Sequence, residues 1–206
     1  MKEKRIGKMG WVLFVTAVCV LWYKYNFSNP FAILLNGAFI VFCLLDYRIS
    51  KEDISSLGFW KENLGRQIAL GLCGAVILIL IHICVALWTG KSFQISPDFQ
   101  PKRIPSYLLI SMVFTGLSQE IFWRGYFYDQ FRKIFGSSNI AIALSTAVFA
   151  VGCYILNPNA ANVIQTTLFG LSLCVARAKI KDCSVLSLAI AHGIYTFYGS
   201  IFTVIG

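Results

Sequence analysis

Three ionisable residues, Glu120, Arg124 and His192, lie inside long apolar stretches of this 206-residue sequence. A charge at the centre of a bilayer costs at least about 2.5–3.5 kcal/mol on insertion scales, so such residues face a cavity or a partner. In Gln119-Glu120-Ile121-Phe122-Trp123-Arg124-Gly125 the two charges are four apart, which on a helix places them on one face where they can pair. A carboxylate and an imidazole are also the side chains most often used to move protons in catalysis. A plainer reading stands beside that one. Glu120 and Arg124 can be an ion pair that fixes helix packing, and His192, in Ala-His-Gly-Ile-Tyr-Thr, can be a core histidine bonded to Thr196 one turn on.

The elements that must carry these residues are membrane helices. Hydrophobic residues make up 57% of the chain and charged residues 13%, against about 25% charged in ordinary soluble domains. Apolar stretches of the length needed to cross a hydrocarbon core of about 30 Å recur along the chain. They predict seven spans, near residues 10–26, 30–46, 67–89, 104–132, 138–156, 161–177 and 184–205. Breaks fall on turn chemistry: Asn29-Pro30, the polar stretch Ser50 to Arg66, Ser96-Pro97-Asp98, Gly136-Ser137-Ser138, Asn157-Pro158-Asn159 and Lys179 to Ser184. The fold class expected is therefore all-α, a polytopic transmembrane bundle of about seven spans enclosing a polar cavity. It forms one integral membrane domain, 1–206, with N-terminal spans in 1–100 and the candidate site in 104–205.

Orientation follows the distribution of Lys and Arg in short loops. One side carries Lys2, Lys4, Arg5, Lys8, Arg48, Lys51, Lys61, Arg66, Arg132, Lys133, Arg177, Lys179 and Lys181; the other carries Lys24, Lys91, Lys102 and Arg103. Thirteen against four predicts the N-terminus in the cytoplasm and the C-terminus outside. The basic Met1 to Lys8 segment and the apolar run from Trp11 to Tyr23 resemble a signal peptide. No small-residue cleavage site is evident and further spans follow, so an uncleaved first helix is expected.

Topology accounts for the net charge of +9. With no zinc-finger spacing, basic stripe on a soluble domain or aromatic RNA-binding signature, nucleic acid is not an expected partner. The seven cysteines, Cys19, Cys43, Cys73, Cys84, Cys153, Cys174 and Cys183, lack C-x-x-C pairing. They do not suggest a disulfide framework or zinc site, and six of them, all but Cys153, read as small apolar residues. His82 has no carboxylate three or four residues away and there is no H-E-x-x-H, so it is expected to line a span or contact a helix, and no metal or cofactor is expected. Paired, interrupted spans in two matching halves, the mark of many transporters, are not seen.

Helical rise sets the depth of the polar residues. Gln119 lies about 20 Å from Lys133, Cys153 about 24 Å from Gly136 and His192 about 15 Å from Lys181, compatible with a meeting near mid-membrane.

At this point the residues carry a resemblance. Leu117-Ser118-Gln119-Glu120-Ile121-Phe122-Trp123-Arg124-Gly125-Tyr126, followed by Phe131-Arg132-Lys133-Ile134-Phe135-Gly136, resembles the first motif, Glu-Glu-x-x-x-Arg, of the CPBP family of CAAX proteases and bacteriocin-processing proteins, also called Abi. Phe149 to Cys153 stands where that family has Phe-x-x-x-His. His192 to Thr196 stands where it has His-x-x-x-Asn or a similar residue. The resemblance covers about residues 104–205. It implies an all-helical bundle around a polar cavity and, in active members, a glutamic intramembrane endopeptidase; for this chain a prokaryotic plasma membrane is the expected location. The first glutamate and the second-motif histidine would activate water, the third-motif residues would stabilise the oxyanion, and the second glutamate and arginine would organise the site.

Three positions depart from the pattern: Gln119 for the first glutamate, Cys153 for the second-motif histidine and Thr196 for the asparagine. Gln119 keeps the shape but takes no proton, a buried thiol in apolar surroundings is a weak substitute for imidazole, and the Thr196 hydroxyl can still donate. Glu120 as replacement base, Cys153 as nucleophile with His192 as base, and lost or weakened proteolysis all remain open. Lost or weakened proteolysis is the simplest. It leaves a binding, immunity or regulatory role toward a membrane protein or peptide client, with no pattern that sets an oligomeric state; an active CAAX-type endopeptidase using Glu120 and His192 is the alternative.

Overall fold

Turn chemistry sets the helix ends. Ser137, Asn159 and Ser184 sit in extended backbone ahead of apolar runs, and their side chains accept from the N–H groups of Ile140, Asn162 and Ser187. At Ser184 the Ser187 hydroxyl answers the bond, completing a capping box. Gly136, at φ 68°, ends the preceding helix in the left-handed conformation that glycine adopts without strain.

The computed structural model describes residues 2–25, 29–60 and 62–205. Among them are seven long helices: α1 (Lys2–Tyr25), α2 (Asn29–Ile49), α3 (Leu64–Trp88), α4 (104–135), α5 (Ser138–Leu156), α6 (Ala160–Lys179) and α7 (Val185–Ile201). Met1 and Lys61, read above with the inner-side segments, and residues 26–28, ahead of the expected break at Asn29-Pro30, lie outside the described residues. Six of the seven expected spans coincide with helices to within a few residues at most ends; α1 starts earlier, at Lys2.

The seventh needs correction. Its helix stops at Ile201, and Phe202–Ile205 forms a strand, β2, antiparallel to β1 (Ser92–Ile95) in the α3–α4 connection. The apolar run continues unbroken through both forms, and four residues do not distinguish helical from strand periodicity.

α4 is continuous but not uniformly α-helical. Two π-helical stretches, Ile110–Leu117 and Ile121–Phe127, flank the short α-turn Ser118–Glu120. Such wide turns are rare and occur frequently at functional sites.

The packing is that of a membrane protein. Gln67, Ser118, Glu120, Arg124 and Ser145 are fully buried, while Leu72, Val76, Ile77 and Leu80 of α3 are at least half exposed. α3 and α5 are each long and apolar enough to cross a bilayer. Where α4 meets α7, small residues bring the backbones together. A Cβ on Gly116 would stand 2.6 Å from the Ala189 carbonyl oxygen, and one on Gly193 would stand 2.5 Å from Met112 Sδ.

One end of the bundle is tied by ions. Glu52 accepts from Arg5 at 2.7 Å and from Lys133 at 2.7 Å, while Lys8 pairs with Asp46 at 2.6 Å. Asp129, buried on α4, takes the Tyr47 hydroxyl, Lys133 and, at 3.2 Å, Arg132. Several of the basic residues that mark this end in the sequence thus join α1, α2 and α4.

Candidate active site

Adjacent helical residues point about 100° apart, and Gln119 and Glu120 separate accordingly. Glu120 faces inward toward α7. Its Oε1 atom accepts from Arg124 Nη1 at 3.0 Å and lies 2.6 Å from His192 Nδ1. Glu120 and Arg124 are wholly buried and His192 nearly so, at 5% exposed. Which partner donates in the contact between Glu120 and His192 follows from the tautomer of the imidazole. The plain reading of His192, bonded to Thr196 one turn on, gives way to this contact between helices. Thr196 is half-buried farther along α7.

Aromatic rings enclose the trio. The Arg124 guanidinium carbon is 4.3 Å from the centre of the Phe149 ring and 5.7 Å from that of Phe169, a cation–π arrangement that partly offsets desolvation of the charge. Phe169 meets the His192 imidazole edge to face at 4.7 Å. Gly170 leaves the necessary room, since a Cβ there would come 3.0 Å from Phe149 and 3.4 Å from Arg124 Nη2. Among the described residues, Glu120 Oε2, Arg124 Nε and Arg124 Nη2 are buried without a hydrogen-bond partner.

Gln119 and Cys153 lie elsewhere. Both line a cavity of about 160 Å³ bounded by α1, α2, α4 and α5, together with Asn36, Phe39, Trp123 and Phe149. Glu120, Arg124 and His192 are not among its lining residues. Phe149 is the wall between the two places: it lines the cavity and carries Arg124 over its ring. Of the three positions that depth allowed to converge, Gln119 and Cys153 share this cavity, while His192 belongs to the closed trio.

A further polar cluster escaped the sequence reading. His82 of α3 accepts or donates at 3.1 Å to the Tyr195 hydroxyl, and Gln165 of α6 bonds both. His82 is thus a helix-contact residue, joining α3, α6 and α7. Gln165, an amide within an apolar span, was the available signal. Tyr195 continues into the site through Phe169, with ring centres 5.0 Å apart. Among the described residues no group of His, Cys, Asp and Glu is arranged to hold a metal.

Fold and site together define a helical membrane module built around a buried carboxylate, guanidinium and imidazole. Residues 101–198, which contain all three motif segments, match the family model described as Type II CAAX prenyl endopeptidase Rce1-like. That stretch, just under half of the chain, is consistent with the CPBP family on the same residues that carry the sequence resemblance, and the match supports a CAAX-protease-like membrane protein. No curated protein and no solved structure matches it.

Proposed function

We propose that this protein keeps the CAAX-endopeptidase scaffold with proteolysis lost or severely weakened, and acts by binding a membrane protein or peptide, in an immunity or regulatory role. One observation carries the reading. The cavity positions where the family pattern has glutamate and histidine hold Gln119 and Cys153. The carboxylate that is present, Glu120, is buried with one oxygen shared between Arg124 and His192. A general base must reach the water it deprotonates within about 2.6–3.2 Å or through one further water, and neither Gln119 nor a protonated thiol supplies one.

The second reading is an active endopeptidase using Glu120 and His192. The buried, unpartnered Glu120 Oε2 and Arg124 Nη2 favour it, because an acceptor for water and a donor for an oxyanion are what hydrolysis needs. The deciding experiment is cleavage of a prenylated CAAX peptide by the full chain in proteoliposomes. Turnover at background level is expected. Cleavage abolished by Glu120→Ala or His192→Ala would establish the second reading instead.

The setting that fits the resemblance is a prokaryotic plasma membrane, and the charge distribution fits an N-terminus in the cytoplasm and a C-terminus outside. Labelling of single cysteines introduced at Lys91 and Lys179 by an impermeant thiol reagent tests it in a background lacking the seven native cysteines. Lys91 is expected to label from outside and Lys179 only after lysis.

A further inference from the structure

A cleft of about 570 Å³ opens at the ion-tied end of the bundle, where α4 and α6 finish and α5 and α7 begin. Four of its lining side chains are cationic, Arg132, Arg177, Lys179 and Lys181, and two, Asp129 and Asp182, are acidic. Both acids stand beside cations. Asp129 has Tyr47, Arg132 and Lys133, and Asp182 Oδ2 lies 3.2 Å from Arg66, although it makes no hydrogen bond among the described residues. Among the described residues Arg177, Lys179 and Lys181 enter none of the ion pairs, which leaves a local excess of positive charge.

Arg177 is held as a fixed part of the cleft. Its guanidinium lies 4.7 Å from the centre of the Trp60 ring and packs on Gly58, where an added Cβ would come within 2.5–2.7 Å of the guanidinium atoms. Gly58 is in the left-handed region at φ 101°, and its carbonyl accepts from Val185 N–H at 2.9 Å. Arg177 Nε is buried with no hydrogen-bond partner among the described residues. A positioned guanidinium with donors to spare, flanked by two flexible ammonium groups and the hydroxyls of Ser55 and Ser56, matches the needs of a phosphate, which takes several charge-assisted bonds at once. The cleft lies at the level where helix ends meet lipid headgroups, and basic pockets between helices on that side suit anionic ones.

We infer that this cleft binds a phosphate group, as an anionic lipid headgroup or as a free phosphate, independently of whether the protein cleaves peptides. The test uses the full chain in neutral detergent, probed with phosphatidylglycerol, phosphatidylcholine and inorganic phosphate, with retained lipid measured by native mass spectrometry and unfolding by thermal scan. Phosphatidylglycerol is expected to be retained and to raise the midpoint, and phosphatidylcholine is not. The exposed pair Lys179→Gln/Lys181→Gln is expected to weaken binding by about fivefold per lysine, roughly thirtyfold together, without loss of fold. Arg177→Gln is expected to abolish it. Inorganic phosphate that raises the midpoint and displaces the lipid assigns the site to free phosphate; a response to lipid alone assigns it to the headgroup, and either supports the inference. Equal retention of the two lipids, binding unchanged in the lysine pair, or an equal loss on Lys91→Gln/Lys102→Gln at the opposite end would overturn it.

Discussion

His192 Nδ1 lies 2.6 Å from Glu120 Oε1, joining α7 to α4 through a carboxylate that also holds Arg124 at 3.0 Å. Because all three side chains are buried, removing one leaves an uncompensated charge in low dielectric. Glu120→Leu is expected to destabilise by about 3–5 kcal/mol. Glu120→Leu combined with Arg124→Leu is expected to be less damaging than Glu120→Leu alone. Thermal unfolding in detergent measures both, and a double variant worse than the single would show that the pair is not coupled.

The cavity offers a more demanding test of the proposed loss of activity. Gln119→Glu with Cys153→His places an acid and an imidazole in the lining of one cavity of about 160 Å³, restoring the family pattern at both positions. The double variant is expected to cleave a prenylated peptide where the unchanged chain does not, and neither single change is expected to suffice. Endpoint mass spectrometry of the peptide reads the result.

Close helix packing predicts a contrast among glycines. Gly116→Ala drives a methyl to 2.6 Å from the Ala189 carbonyl and is expected to cost about 1–3 kcal/mol. Gly199→Ala, on α7, meets nothing within 4 Å among the described residues and is expected to be close to neutral. Comparable losses at both sites in thermal scans would remove the steric explanation.

Acid should loosen the ion-tied end. Burial alone would lift the Glu52 carboxyl, but the hydrogen bond and charge of Lys133, together with Arg5 and Gln130, hold it below the ordinary carboxylate value. A carboxyl depressed in the folded state adds stability that is present above the unfolded pKa and lost as pH falls through the folded one. Stability is therefore expected to decline below about pH 4.3, the ordinary glutamate range. Glu52→Gln is expected to lower the midpoint at neutral pH and flatten this part of the profile.

Much of the architecture is legible because lipid imposes a simple demand: long apolar runs, closed by Ser137, Asn159 and Ser184 caps and by Gly136. The Glu120 and Arg124 pair is legible for the same reason, since their spacing matches one helical turn, and so is the divergence of Gln119 from Glu120. What escaped depends on distant partners. β2 exists because Phe202–Ile205 finds Ser92–Ile95, and nothing local in Phe-Thr-Val-Ile announces it. The π stretches of α4 leave no mark in composition. The His82, Gln165 and Tyr195 cluster brings together three helices whose single polar residues each look incidental alone.

The ribbon of β1 and β2 has a mechanical consequence for the helix that carries His192. At one end α7 begins in a capping box and its Val185 N–H is bonded to the Gly58 carbonyl. At the other, Ser96 N–H is bonded to the Ile201 carbonyl and the strand pairing starts immediately after. The helix is a rod clamped at both ends. Sliding it by one turn, about 5.4 Å, would break both clamps together, so the imidazole keeps its height beside Glu120 whatever moves in the helices around it.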